Sequence, residues 1–126
     1  MKINKFTDLD AWQEAHKLTL FIYKVTAGFP REELFGLTSQ LRRAAVSIES
    51  CIAEGFNRFH YKSRLTFYYD SRGSLGEVES QSITAKDLFY MTQEDYEKVI
   101  AQVEKTGVIL GGLIRKTESL SLKTSA

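Results

Sequence analysis

The spacing of apolar residues between positions 36 and 58 constrains the fold more than any other feature of the chain. These residues recur at intervals of three and four: Leu37, Leu41, Ala44, Ile48 and Ile52. Such intervals place them on one face of an α-helix. One helix cannot bury that face alone, so other elements must pack against it. The segment therefore predicts the central helix of an all-α protein.

Three further amphipathic segments predict three more long helices. The four helices are expected at about residues 8–27, 38–56, 63–91 and 93–116, and the Ser-, Thr- and Lys-rich tail at about 117–126 is expected to be frayed. Gly28 and Pro30 end the first helix, while Thr92 with Asp95 can cap the start of the fourth. Because short connections join long helices, we predict that residues 1–126 form a single domain, an up-down-up-down four-helix bundle.

The third and fourth predicted helices carry seams that should face the core. In the third helix the seam is Tyr68, Ser71, Leu75, Val78, Ser82, Ala85 and Phe89. In the fourth it is Tyr96, Ile100, Val103, Gly107, Leu110 and Ile114. Gly73 and Gly76 would weaken the third helix. Their presence predicts that another backbone passes very close to them.

The composition limits the class of protein. The chain has 126 residues, of which 43% are hydrophobic and 26% charged, which is sufficient for one core without disulfides or metal. A single cysteine cannot form an internal disulfide, so a cytoplasmic location is expected. The N-terminus lacks the pattern of a signal peptide, and no apolar run approaches the roughly 20 residues that span a bilayer. We therefore expect no membrane association.

The predicted topology separates charge although the formal net charge is only +1. In such a bundle the loop between the second and third helices lies at the same end as both termini, which creates a basic end. The cations expected there are Lys2, Lys5, Arg58, Lys62, Arg64, Arg115, Lys116 and Lys123. The acidic residues expected at the other end are Glu32, Glu33, Asp87, Glu94, Asp95 and Glu97.

Residues 58–64 interleave cations with aromatic side chains. This combination can contact phosphates while stacking on bases, so we predict that RNA or DNA binds at the basic end. The candidate nucleic-acid-binding residues are Arg58, His60, Lys62, Arg64, Arg115 and Lys116. The alternative is a solvated loop that binds nothing, in which Phe59 and Tyr61 tuck into the end of the bundle.

The adjacent Arg42 and Arg43 could also bind phosphate. However, neighbouring helical residues point about 100° apart, so the two cannot both face one ligand without help. Because a buried or interfacial arginine needs a carboxylate partner, we instead predict a structural ion-pair network. Its members are Arg42, Arg43, Glu54, Glu77 and Glu79.

The first predicted helix carries a second apolar stripe beside the one that faces the core. A helix that is apolar over so wide an arc indicates a contact with another subunit as well as the core. Paired aromatic residues on the third helix can likewise offer one ring to the core and one to a neighbour. The residues predicted at an oligomer interface are Leu9, Trp12, Tyr23, Tyr69 and Tyr90.

No set of catalytic, cofactor-binding or metal-ligating residues can be recognised. His16 and His60 are the only histidines, and they lie on different elements without a matched Cys or carboxylate spacing. Cys51 lies between apolar turns and is interpreted as a small buried hydrophobe, since nothing near it in sequence would lower its pKa. We therefore expect no enzymatic activity, no cofactor and no metal.

Two motifs on the second helix are specific: Leu-Thr-Ser-Gln-Leu-Arg-Arg at 37–43 and Ile-Ala-Glu-Gly at 52–55. Further segments carry the same similarity: 6–12 with Ala15, Phe29-Pro30 with Glu33, Phe35-Gly36, Ser47-Ile48, Arg58, and 72–77 with Glu79. Together they resemble a family of small bacterial bundle proteins encoded by intervening sequences in some 23S ribosomal RNA genes, often called ribosomal-protein-like. The chain departs from that family at Glu49 and Cys51, where Pro and Asn are common, and at 69–71.

This resemblance implies a four-helix bundle that assembles into a ring-like homopentamer and has no established enzymatic activity. A related bundle is an accessory subunit of reverse transcriptases in diversity-generating retroelements. The resemblance therefore also implies a reverse transcriptase or a ribosomal component as partners. Our leading hypothesis is an assembly module that presents a basic end to RNA, DNA or a nucleoprotein. The alternatives are a protein-partner adaptor or structural protein with no nucleic-acid role, and an enzyme, which would require convergent polar groups.

Overall fold

The computed structural model describes residues 2–124, which are all-α and contain no strand. Its four long helices are α1 (Asp10–Thr26), α2 (Leu37–Phe56), α3 (Tyr61–Asp87) and α4 (Gln93–Thr124). Two short 3-10 helices, Phe6–Asp8 and Arg31–Glu33, precede α1 and α2. Each long helix packs against the next along the chain, and α4 also packs against α1. The predicted all-α chain with four helices is confirmed, and its packing is that of a four-helix bundle.

Helical periodicity identifies most of the core correctly. The fully buried aliphatic side chains include Leu18, Ile22, Leu41, Ile48, Ile52, Val78, Val99 and Leu110. The largest fully buried side chain is that of Tyr68. Burial of each such side chain contributes about 1.5 to 3 kcal/mol, so this core is the main source of stability.

The register of α4 differs from the prediction by a small rotation about the helix axis. Tyr96, Ile100 and Gly107 are only half-buried. The positions that face the core are Val99, Val103, Thr106, Leu110 and Ile114. The predicted start is correct, because the N–H of Asp95 donates to Oγ1 of Thr92 at 3.0 Å. Thr106 fits the core because its hydroxyl donates to the carbonyl of Gln102 at 2.7 Å.

The end of α3 was predicted four residues too late. The helix ends at Asp87, and Phe89 has a positive φ of 63°. The N–H of Tyr90 donates to the carbonyl of Ala85, and that of Phe89 to the carbonyl of Lys86, both at 2.9 Å. These two bonds form a Schellman motif, in which glycine usually occupies the left-handed position. The turn points Phe89 away from the core, so its predicted place in the buried seam is wrong.

The predicted frayed tail is helical over most of its length. α4 continues to Thr124, and Thr117 and Ser121 are buried. The hydroxyl of Thr117 donates to the carbonyl of Leu113 at 2.7 Å, which satisfies a polar group that would otherwise oppose burial. Ser125 and Ala126, the last two residues of the predicted tail, lie outside the described residues. None of the helices between residues 2 and 124 has the length and hydropathy needed to cross a membrane.

The close approach between helices occurs at Gly55 rather than at Gly73 and Gly76. A Cβ atom added at Gly55 would lie 2.6 Å from Cε1 of Tyr68 and 3.1 Å from the carbonyl oxygen of Arg64. Around Gly73 and Gly76, apart from the chain neighbours and the nearby backbone of the same helix, no described atom lies within 4 Å of such a Cβ. The short connection between α2 and α3 holds the two helices close together at this end, so the crowding falls at Gly55.

Candidate nucleic-acid interface

A cleft of about 890 Å³ lies between the start of α3 and the end of α4. Its lining residues are Phe59, His60, Tyr61, Lys62, Ser63, Arg64, Ser121 and Thr124. We call it the Phe59 cleft. One wall is the connection between α2 and α3, and the other consists of the last turns of α4. The predicted juxtaposition of this loop with the end of the chain is therefore correct, although it depends on helical turns that were expected to be frayed.

Two arginines beside the cleft are held in place by aromatic rings. The guanidinium of Arg58 lies 4.7 Å from the ring centre of Phe67. That of Arg64 lies 5.3 Å from the ring of Phe56, and its Nε donates to the carbonyl of Arg58 at 2.7 Å. Such cation–π contacts orient a guanidinium without neutralising it. Burial raises the pKa of the neighbouring Tyr68, and the positive charge of Arg64 acts in the opposite direction.

The other side chains at this site are accessible to a ligand. Phe59 is 87% exposed, so the expectation that its ring would tuck into the end of the bundle is wrong. Its ring contacts that of His60 at 5.0 Å in an edge-to-face arrangement. His60 and Lys62 are exposed, while Tyr61 is half-buried. The site thus combines a positive charge with an uncovered aromatic ring.

Arg115 and Lys116 do not line this cleft, so the six candidate residues fall into two groups. Lys116 borders a separate groove of about 440 Å³ with Ile3, Leu9 and Leu113. The guanidinium of Arg115 lies back along α4 beside Gly111. At about 1.5 Å of rise per residue, position 115 is about 9 Å along α4 from Ser121. Lys123 lies on the turns of α4 that form the cleft wall, and it is exposed.

The predicted ion-pair network is wrong. Arg42 donates from Nε to Oγ1 of Thr26 at 2.8 Å, and its guanidinium lies 4.7 Å from the ring centre of Tyr23. Arg43 and Glu77 border one shallow groove of about 320 Å³ between α2 and α3. Within residues 2–124, no ion pair joins either arginine to Glu54, Glu77 or Glu79. Arg42 is thus satisfied by the hydroxyl of Thr26 and by the ring and backbone carbonyl of Tyr23, the latter at 3.5 Å, so no carboxylate has to be desolvated.

A buried polar cluster centred on Glu14 was not indicated by the sequence. Glu14 on α1 is buried, and its carboxylate lies 3.1 Å from Nζ of Lys17 and 3.4 Å from Nζ of Lys105. Gln102 donates to Oε1 of Glu14 at 3.1 Å. This hydrogen bond, more than the two lysines, lowers the pKa of Glu14, while burial acts in the opposite direction. The cluster joins α1 to α4 and is structural.

Two of the positions that depart from the family pattern, Glu49 and Cys51, have local partners. Oε2 of Glu49 lies 2.9 Å from Nδ1 of His16, whose ring stacks on Trp12 at 4.7 Å. Cys51 is half-buried, and its Sγ lies 3.8 Å from Oγ of Ser47. Burial raises the pKa of the Cys51 thiol, which keeps it protonated. No three His, Cys, Asp or Glu side chains converge as a metal-binding group in the part of the chain that the structure describes.

Most residues predicted at an oligomer interface make contacts within their own subunit. Trp12 packs against Phe6 and His16, and Leu9 packs against the core. The hydroxyl of Tyr69 donates to Glu118 at 2.6 Å. The hydroxyl of Tyr90 likewise donates to Glu33, at 3.1 Å, and Tyr23 remains exposed beneath Arg42.

A different apolar surface is uncovered. Phe35 is 94% exposed, and Leu34 and Val46 beside it are also exposed. With Tyr23 they border a groove of about 490 Å³, which we call the Phe35 groove. Thr38, Ser39, Arg42 and Arg43 complete its lining. Sequence reasoning missed Phe35 because it lies in a connection, outside any helical stripe.

Comparison with known proteins agrees with this architecture. A crystal structure of a protein of unknown function from the S23 ribosomal protein family of Bacteroides thetaiotaomicron is similar, with a TM-score of 0.74. The two share 18% sequence identity, and the match covers 82% of this chain and 97% of that chain, which establishes a common fold. None of the curated proteins compared with the chain is significantly similar to it. The family model of the 23S rRNA-intervening sequence protein matches residues 7–112. The chain therefore belongs to the 23S rRNA-intervening sequence protein family.

Proposed function

We propose that this protein is a non-enzymatic cytoplasmic module that assembles with copies of itself and binds RNA or DNA through its basic end. The observation that carries the nucleic-acid part is the Phe59 cleft, where cations and an exposed aromatic ring meet in one concavity. The cytoplasmic location is supported by the single free cysteine.

The cations of the cleft are suited to the phosphate backbone. Arg58 and Arg64 are oriented by rings, which reduces the conformational entropy lost when a phosphate binds. Lys62 and Lys123 are exposed and add flexible charges on the two walls. With a formal net charge of +1, affinity for a polyanion must come from this local concentration of charge.

Self-association is supported by large apolar side chains that the subunit leaves uncovered. Phe35 borders a groove that also contains Arg42 and Arg43. Phe89 is 93% exposed on the loop between α3 and α4, and the segment from Lys86 to Glu97 carries four carboxylates against one lysine. The opposite charges favour insertion of this loop into the Phe35 groove of another copy. A contact between two different surfaces closes into a ring when its rotation permits, and the family resemblance implies five copies.

A charge-neutralising variant with a matched control tests nucleic-acid binding. The basic-end variant carries Arg58→Gln, Lys62→Gln and Lys123→Gln, and the control carries Lys24→Gln, Arg31→Gln and Lys98→Gln at the other end of the bundle. Both lose the same net charge, and Arg64 is left intact because it contacts Tyr68. In fluorescence anisotropy with a labelled oligonucleotide, we expect affinity to fall about tenfold or more in the basic-end variant only. An equal loss in both variants, or no loss in either, would overturn the proposal.

The Phe35 groove supports a second candidate, an adaptor that binds another polypeptide. Its apolar lining with two arginines fits an acidic, partly apolar segment of a partner protein. Such an adaptor would bind no oligonucleotide in the same assay. Instead, the wild-type protein would bind its protein partner, and a variant substituted at Phe35 would not.

A further inference from the structure

We infer that the Phe59 cleft binds single-stranded nucleic acid, with an unpaired base stacked on the ring of Phe59. This inference rests on the proposed function and adds the form of the nucleic acid and the residue that selects it. The ring is 87% exposed, and its neighbours in the chain, Arg58 and Lys62, are cationic. A ligand that suits both features must be planar and aromatic and must also carry negative charge. A nucleotide has both properties.

The position of Phe59 among the cations favours an unpaired base over a duplex. Phe59 directly follows Arg58 and lies three residues before Lys62, so phosphates held by these two cations would pass beside the ring. In a duplex the bases are stacked on one another behind the backbone, and their faces are not available. A base must leave the stack to reach Phe59, which is easiest where the strand is already single.

The shape of the site agrees with this assignment. The cleft is concave and its volume of about 890 Å³ is within the range of pockets that enclose small molecules. It can hold a base between the start of α3 and the last turns of α4. Stacking on an aromatic ring is tolerant of sequence, because every base has a π-face. We therefore expect binding of unpaired strands without strong sequence preference.

The experiment compares four probes of one length: single-stranded RNA, single-stranded DNA, the DNA duplex, and an abasic DNA strand that keeps the phosphates but lacks bases. The variant is Phe59→Ala, and Phe59→Trp serves as the conservative replacement. Val108→Ala is the control, because Val108 is 73% exposed on α4 and lines neither the Phe59 cleft nor the Phe35 groove. The two single-stranded probes distinguish RNA from DNA as the preferred strand.

We expect Phe59→Ala to weaken binding of single strands by about tenfold, and to leave duplex and abasic affinities within about twofold. Phe59→Trp should retain binding, and Val108→Ala should behave as the wild type. Unchanged single-strand affinity in Phe59→Ala, or an equal loss on single strand and duplex, would overturn the inference. If the wild type binds none of the four probes, the proposed function itself fails. If the basic-end variant loses binding while Phe59→Ala does not, only the inference fails.

Discussion

The side-chain amide of Gln102 on α4 donates a hydrogen bond of 3.1 Å to the carboxylate of Glu14 on α1. The same nitrogen lies 2.9 Å from the backbone carbonyl of Glu14, so one amide contacts both acceptors of a single residue. Glu14 is only 7% exposed. Since α1 and α4 are the first and last helices, this contact fixes their relative position where the bundle closes.

Acid should weaken this contact. The pKa of Glu14 is lowered, first by the hydrogen bond from Gln102, so its ionised form stabilises the folded protein above the usual value of 4.5. That contribution is lost as pH falls through the lower, folded-state pKa. We expect Glu14→Gln to lower the free energy of unfolding by about 1.5 kcal/mol at neutral pH, and by less in acid. Urea unfolding followed by circular dichroism at neutral pH and at about pH 3 measures the difference. If Glu14→Gln lowered the free energy of unfolding by the same amount at both pH values, the expectation would be contradicted.

Substitution of glycines should have opposite effects at two places. In Gly55→Ala the new methyl group would meet the buried ring of Tyr68 and the backbone of Arg64, neither of which can move freely. We expect this variant to lose about 2 kcal/mol of unfolding free energy. Gly76→Ala adds a methyl group where the subunit leaves open space, so it should gain about 1 kcal/mol from helix propensity. Urea unfolding of both variants gives the comparison, and a stabilised Gly55→Ala would disprove the assignment of crowding to that site.

Phe89 should be a destabilising residue in the isolated subunit. Its left-handed conformation is unfavourable for a side chain with a Cβ, and its exposed ring contributes little packing. We therefore expect Phe89→Gly to raise the free energy of unfolding by about 1 kcal/mol. Thermal unfolding at low protein concentration measures this effect on the subunit. A lower stability for Phe89→Gly would show that the ring makes a stabilising contact.

The assembly proposal predicts that Phe35 is required for self-association. Size-exclusion chromatography with light scattering should give a mass several times the 14.4 kDa subunit for the wild type at micromolar concentration. Phe35→Ser should shift the mass toward that of a single subunit. Val108→Ser is the matched control, because Val108 is 73% exposed on α4 outside the groove. A wild type of subunit mass, or an unchanged mass in Phe35→Ser, would exclude the proposed interface.

Sequence periodicity predicted the parts of the fold that depend on burial alone. The positions of Leu41, Ile48 and Ile52 on α2 were correct because an apolar residue repeated at the helical period must face a core. The end of α3 was missed because phenylalanine rarely occupies the left-handed position that ends a helix. The last turns of α4 were missed because Thr117 and Ser121 are polar. Their spacing from Leu110 and Ile114 continues the same period, and this signal could have revealed them.

The candidate site was predicted only in part, for a different reason. The basic loop could be placed at one end of the bundle from topology, and His60, Lys62 and Arg64 do meet there. Which side chains pair across helices depends on small rotations about each helix axis, and sequence spacing does not specify these. Arg42 therefore pairs with Thr26 instead of a carboxylate. Phe59 lies in the connection between α2 and α3, where no helical period predicts the exposure of a side chain.

The salt dependence of oligonucleotide binding tests the nucleic-acid proposal most directly. For a single strand, the logarithm of the binding constant should fall with the logarithm of salt concentration, with a slope of about −0.7 for each phosphate neutralised. We predict a steep slope for the wild type. The basic-end variant, in which Arg58, Lys62 and Lys123 are replaced by glutamine, should show a slope shallower by about 2. A wild-type slope near zero, or the same slope in both proteins, would contradict binding through the basic end.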